Sequence, residues 1–169
     1  EEARLDLVLL GASEGWRVAE LLAQEAVPVI VDPMANLPFR FESRNARSDN
    51  PALLARAGVK VILTSRSSHN AGNLRYAVGN AVRAGFPATL ALRSATLSVA
   101  EAFGQEDEVG SLQAGRRANV VVWTGDPFET RTHAARVFVR GREQPTVSRQ
   151  TRLARRYIER LGLAPTSAP

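Results

Sequence analysis

Three short apolar runs limit the fold more than any other feature of this sequence. Residues 5–10 read Leu-Asp-Leu-Val-Leu-Leu, residues 27–31 Val-Pro-Val-Ile-Val and residues 59–63 Val-Lys-Val-Ile-Leu. Each has strand length and is almost continuously apolar, the pattern of parallel strands covered on both faces. Pro28 is tolerated because it stands where the ladder has barely begun. Between the first two runs Val18, Leu21, Leu22 and Ala26 recur at helical spacing, with Ser13 as an N-cap. Between the second and third, a polar loop over 32–50 leads into a short helix at 51–57 that Gly58 ends. Both crossovers are long enough for right-handed βαβ units, so the reading is α/β.

Helical spacing resumes at Leu74, Ala77, Val78, Ala81 and Val82, and Gly85 is placed as the C-cap. Pro87 opens a helix near 88–94, and another over 98–103 stops at Gly104. Then the character changes. Asn119-Val120-Val121-Val122-Trp123 and Arg136-Val137-Phe138-Val139 read as strands, flanked by Gly115, Gly125-Asp126-Pro127 and Gly141. From Ser148 a basic amphipathic helix carries Leu153, Tyr157, Ile158 and Leu161 on one stripe, expected to pack on the body of the fold that the α/β unit belongs to, with a membrane or nucleic-acid surface as the alternative.

Composition removes several function classes. The net charge is +5, from 22 basic and 17 acidic residues, and Lys60 is the only lysine. The arginines are scattered without interleaved aromatics, which argues against nucleic acid as a partner. No run of about 18 apolar residues exists to span a membrane, and the first residues, Glu-Glu-Ala-Arg, do not read as a secretory signal. With no cysteine there are no disulfides or thiolate ligands, and either redox compartment fits. The expectation is a soluble bacterial protein of the cytoplasm or periplasm. No Gly-rich phosphate loop follows a strand, and Gly11-Ala12-Ser13-Glu14-Gly15 does not complete a nucleophile elbow.

One resemblance covers residues 79–141. Gly79-Asn80-Ala81-Val82, Gly85-Phe86-Pro87, Ala91-Leu92, Ala95-Thr96-Leu97, Gly104 and Val109-Gly110-Ser111-Leu112 follow one another in order. After them come Gly115, Ala118-Asn119-Val120-Val121-Val122-Trp123, Gly125-Asp126-Pro127 and Val137-Phe138-Val139-Arg140-Gly141-Arg142. Order and spacing together resemble the C-terminal stretch of the amidohydrolase superfamily, in particular imidazolonepropionase-like members. There the Val-Gly-Ser-Leu segment begins the return into a small β-sandwich, and Asn119 stands where Asp is usual.

The resemblance implies that residues 1–105 are the C-terminal part of a (β/α)₈ TIM-type barrel, contributing its last three βα units. Residues 106–147 would be strands of the small β-sandwich, and 148–169 the basic helix and tail. A barrel cannot close on three strands, and the sandwich lacks strands the family draws from its N-terminus, so the chain is expected to be incomplete by itself. The implied partners are the missing barrel portion, on a separate chain or lost, and a small-molecule or peptide-like substrate, with a homo-oligomer left open. The implied activity is hydrolysis of an amide, cyclic amide or peptide-like C–N bond by water activated on a divalent metal, zinc foremost. The alternative is a non-catalytic scaffold or binding protein of the same fold.

Two expected metal ligands are missing. A His commonly ends the sixth family strand, where this chain has Leu9-Leu10-Gly11. An Asp normally ends the eighth, where Leu63-Thr64-Ser65-Arg66-Ser67-Ser68-His69-Asn70 contains no carboxylate. His69 and His133 alone cannot complete a zinc site, so no metal ligand is assigned. His69 is the candidate catalytic residue, as an imidazole facing the site, against the reading of a loop histidine bonded to a carbonyl. Asn70 beside it, Asp32 at the end of the second run and Arg40 in the loop Asn36-Leu37-Pro38-Phe39-Arg40 are candidate substrate contacts. For Asp32 the competing reading is a cap on its loop, and for Arg40 solvation or a pair with Glu42. His133, Trp16 and Trp123 are expected to be a surface residue and two packing residues.

Overall fold

A computed structural model describes residues 6–35, 37–38 and 40–163. The three apolar runs form β1 (Leu9–Leu10), β2 (Val29–Val31) and β3 (Val61–Leu63), all parallel, in the order β1-β2-β3. Leu9 pairs with Val29, and Val29 with Val61. The register puts Leu9, Val29 and Val61 on one face with Val31 and Leu63, and Leu10, Ile30 and Ile62 on the other.

The first face is the core. Val29, Val31, Val61 and Leu63 pack with Ala19 and Leu22 of α1 (Ala19–Gln24), Ala52 and Leu54 of α2 (Asn50–Arg56) and Val78 and Ala81 of α3 (Leu74–Arg83). The second face corrects the expectation of a sheet covered on both sides. Ile62 is buried, but Ile30 is only half-buried and Leu10 is 65% exposed. The strands are also shorter than the apolar runs, and Leu5 lies outside the described residues.

The first crossover begins with a 3₁₀ turn, Gly15–Val18, before α1, and neither takes a side-chain cap, so Ser13 does not serve as one. The next two helices match their sequence signals. Pro87 precedes α4 (Ala88–Ala95), which leads through Thr96 into α5 (Leu97–Ala102). Glu101 on α5 forms ion pairs with Arg93 and, at 3.1 Å, with Lys60. Burial pushes its carboxyl up, but the two cations outweigh this and hold it below the usual glutamate value.

The second unit is an antiparallel sheet of β4 (Val120–Trp123), β5 (Ala134–Val139) and β6 (Arg142–Gln144). Arg140 (φ 51°) and Gly141 (φ 74°) turn the β5–β6 hairpin in the left-handed conformation such two-residue turns require. The Arg140 N–H donates to Asn119 Oδ1 at 2.9 Å, so the Asn variant staples this turn.

One helix residue joins the two units. The Arg75 guanidinium on α3 donates to the carbonyls of Pro127 (3.2 Å), Glu129 (3.2 Å), Thr132 (2.6 Å) and Thr130 (3.4 Å), satisfying the loop after β4. Its carbon lies 4.4 Å from the Tyr76 ring centre and 5.5 Å from that of Trp123, within cation–π range. One turn along α3, Gly79 lets the loop close in: a Cβ there would sit 2.8 Å from the Phe128 carbonyl oxygen. α6 (Arg149–Leu161) follows, and none of its residues is buried by the other described residues.

Gly79→Ala tests this docking. Alanine favours helix by about 1 kcal/mol, but the backbone clash is expected to dominate and lower stability by about 1–3 kcal/mol. Urea unfolding of the two proteins measures the difference, and equal or higher stability would show that the loop is not seated on α3.

Candidate functional site

A parallel sheet gathers its following loops at the C-terminal strand ends. Here that edge carries Gly11–Ala12 after β1, Asp32 after β2 and residues 64–70 after β3. Backbone hydrogen bonds set the height of each loop: Gly11 N–H donates to Ile30 O at 2.8 Å, and Thr64 N–H to Val31 O at 3.0 Å.

The first two loops are locked together. Asn50, fully buried at the start of α2, donates from Nδ2 to Ala12 O (3.0 Å) and accepts from Trp16 N–H at Oδ1 (2.9 Å). Glu14 accepts from the Asn45 backbone N–H (3.0 Å) and from Asn45 Nδ2 (3.1 Å), while Trp16 Nε1 donates to Asn45 O (3.2 Å). The two Asn45 donors, the backbone bond foremost, hold the Glu14 carboxyl below its ordinary value. The Arg47 guanidinium lies over the Trp16 ring at 5.1 Å and pairs with Asp49. None of Glu14, Asn45 and Asn50 stood out in the sequence. An Asn before Pro51 carries the signature of a helix start, and only burial shows that its amide spans two loops. Trp16, half-buried and doubly bonded, is more than a packing residue.

The sequence-nominated residues are distributed differently. Asp32 is half-buried, and its Oδ1 accepts from Met34 N–H at 2.9 Å, so its carboxylate caps the short turn Pro33–Ala35. Arg40 is exposed, and its N–H donates to Ser43 Oγ at 3.3 Å; Asn36 and Phe39 of its segment lie outside the described residues. His69 and Asn70 are both exposed, and the Asn70 carbonyl accepts from Asn73 N–H at 2.9 Å to start the turn before α3. His133 is an exposed residue whose N–H donates to Thr124 Oγ1 at 3.2 Å.

The cleft at the end of β3 is lined by Thr64, Ser65, Arg66, Ser67, Ser68, Ala71 and Leu74, with a volume near 410 Å³. His69 is not in its lining. Arg66 holds a left-handed backbone (φ 49°), steadied by its N–H bond to Thr64 Oγ1 at 3.1 Å. The lining residues thus include four hydroxyl side chains and one arginine, types that suit a polar or anionic ligand. Among the described residues no three His, Asp or Glu side chains converge on a common point. Asp32 is engaged by its own loop, and the loop after β3 carries Arg66 and no carboxylate. The donor set of the described residues does not fit a metal centre.

Asn50→Ala would strand the Trp16 N–H and the Ala12 carbonyl, and is expected to cost about 2–3 kcal/mol in urea unfolding; an unchanged midpoint would contradict the clamp. Glu14 predicts a pH effect. Its folded-state pKa is lowered, so its contribution is present above the unfolded value and lost as pH falls through the folded one. Stability should therefore decline below about pH 4, and more shallowly in Glu14→Gln, when followed by Trp fluorescence.

The Amidohydrolase family model matches residues 12–149. An amidohydrolase from Thermotoga maritima is 28% identical with a TM-score of 0.73, the match covering 81% of this chain and 36% of that one. A Xaa-Pro dipeptidase with bound methionine is 18% identical (TM-score 0.63; 82% and 39% covered). An adenosine deaminase from Xanthomonas campestris with bound zinc is 18% identical (TM-score 0.54; 86% and 40% covered). No functionally curated protein matches the sequence.

Proposed function

The chain belongs to the amidohydrolase family, and from that premise we propose that it supplies the C-terminal portion of a hydrolase barrel. In this reading β1–β3 are the last three strands of a (β/α)₈ barrel, within residues 1–105. Residues 106–147, with β4–β6, belong to the small β-sandwich, and 148–169 form an appended helix and tail. The chain spans between a third and two fifths of the solved structures it matches. The observation that carries the reading is the open side of the parallel sheet: Leu10 and Ile30 face away from the helices, where a barrel would place its packed interior.

The proposed activity of the intact protein is hydrolysis of a C–N bond in a cyclic amide or peptide-like substrate. A divalent metal, zinc foremost, would supply the activated water when bound. Its ligands are assigned to the remaining polypeptide, on the same or a separate chain, because the groups described above do not fit one. The family name and a neighbour with bound zinc support this reading. The part of this chain is to shape the rim: His69 and Asn70 after β3, with Asp32 and Arg40 after β2, stay the candidate catalytic and substrate-contacting residues.

A second reading, a non-catalytic scaffold, has its own observation. The loop after β3 carries Arg66 and no carboxylate, and a cation beside a guanidinium is repelled.

Metal analysis of the intact protein, with assays on cyclic amides and Xaa-Pro dipeptides, separates the two. The hydrolase reading expects bound metal, turnover and a loss of kcat/KM of about a hundredfold in His69→Ala. Neither metal nor turnover would leave the scaffold.

A further inference from the structure

α6 is built entirely from local signals. Ser148 Oγ accepts from Thr151 N–H at 3.1 Å as an N-cap, and Gly162, left-handed at φ 61°, closes the C-terminus, with Leu163 N–H donating to Ile158 O at 3.0 Å. Nothing on the helix is buried. Leu153, Tyr157 and Leu161 recur every fourth residue as one stripe, and Tyr157 and Leu161 are 55% and 65% exposed. Ile158 flanks the stripe, and exposed Leu163 follows just past the cap.

The rest of the helix is cationic. Arg149, Arg152, Arg155, Arg156 and Arg160 face a single acid, Glu159. Arg152 stands three and four residues from Arg155 and Arg156, and Arg156 four from Arg160, spacings at which like charges repel. A 13-residue helix is marginal in water even without that repulsion. What stabilises it must be apolar against the stripe and anionic along its margins.

We propose that α6 lies in the plane of an anionic lipid bilayer, stripe inward. A bilayer interface offers both halves of the complement at once: acyl chains for Leu153, Tyr157 and Leu161, and phosphate headgroups for arginines that reach outward along their stems. A second copy of this helix would cover the stripe but bring five more arginines against the first five. Nucleic acid would take the arginines but leave the stripe in water. The helix lies on the membrane and does not cross it: 13 residues span about 20 Å, short of a hydrocarbon core of about 30 Å, and no helix among the described residues is long and apolar enough to cross. This inference needs α6 to stay uncovered when the proposed remaining barrel polypeptide is present, and it needs no turnover to test.

The full chain is sedimented with vesicles of pure phosphatidylcholine, or of equal parts phosphatidylcholine and phosphatidylglycerol, at low and high salt. The expected result is binding to the anionic vesicles only, weakened by salt. Leu153→Ser with Tyr157→Ser and Leu161→Ser should abolish it, and Arg152→Gln with Arg155→Gln and Arg156→Gln should weaken it by about a hundredfold. Leu10→Ser, on the open sheet edge, should leave binding unchanged and so excludes general stickiness. Because α6 buries nothing, both sets of variants should unfold in urea as the parent does. Equal binding to both vesicles, binding insensitive to the stripe variants, or no sedimentation with the anionic vesicles would overturn the proposal, and retention of DNA or stripe-dependent self-association would then name the other occupant.

Discussion

The outer edge of β1 governs what the rest of this chain can do. Leu9 and Gly11 turn their N–H groups to β2, which by alternation leaves the Leu10 N–H pointing away from the sheet. A parallel edge strand with exposed leucines is an open template for another strand. The same strand leaves Leu10 uncovered on the face opposite the helices. The open edge and the bare face have one remedy, a further strand and the interior it would help enclose, and the proposed barrel provides both.

Against that incompleteness stands a well-made set of local locks. Asn50 joins Ala12 to Trp16, Asn45 and Glu14 tie the same loops again, and Arg75 gathers the carbonyls of the loop after β4. Each satisfies backbone groups that the surrounding loops bury. The first two tie the loop after β1 to the segment before α2, and the third seats the loop after β4 on α3. The cleft beside the β3 end is lined by four hydroxyl residues and Arg66, side chains that suit a polar or anionic group.

Periodicity revealed most of the α/β fold. The runs at 29–31 and 61–63 and the helices at Leu74–Arg83 and Ala88–Ala95 carry their burial in their spacing. Gly85 (φ 98°) and Gly104 (φ 61°) end elements where the sequence places them. Pattern failed where the partner was not local. The apolar content of 5–10 implied a covered strand, yet its cover is not part of the described residues. The stripe of α6 implied packing, and among the described residues none of it is buried. Asp32 shows the limit for sites: the same residue at a strand end reads as a substrate contact or as a cap, and only the Met34 N–H bond shows the carboxylate engaged by its own loop. His69, the most chemically suggestive residue, lies outside the lining of the cleft that its own loop forms.

Amide hydrogen exchange at Leu10 tests the central claim most directly. Fast exchange is expected at this position in the chain alone, and strong protection once the proposed barrel polypeptide is present. Protection of Leu10 in the isolated monomer, equal to that of Ile30 and Ile62, would mean that three strands already make a closed core.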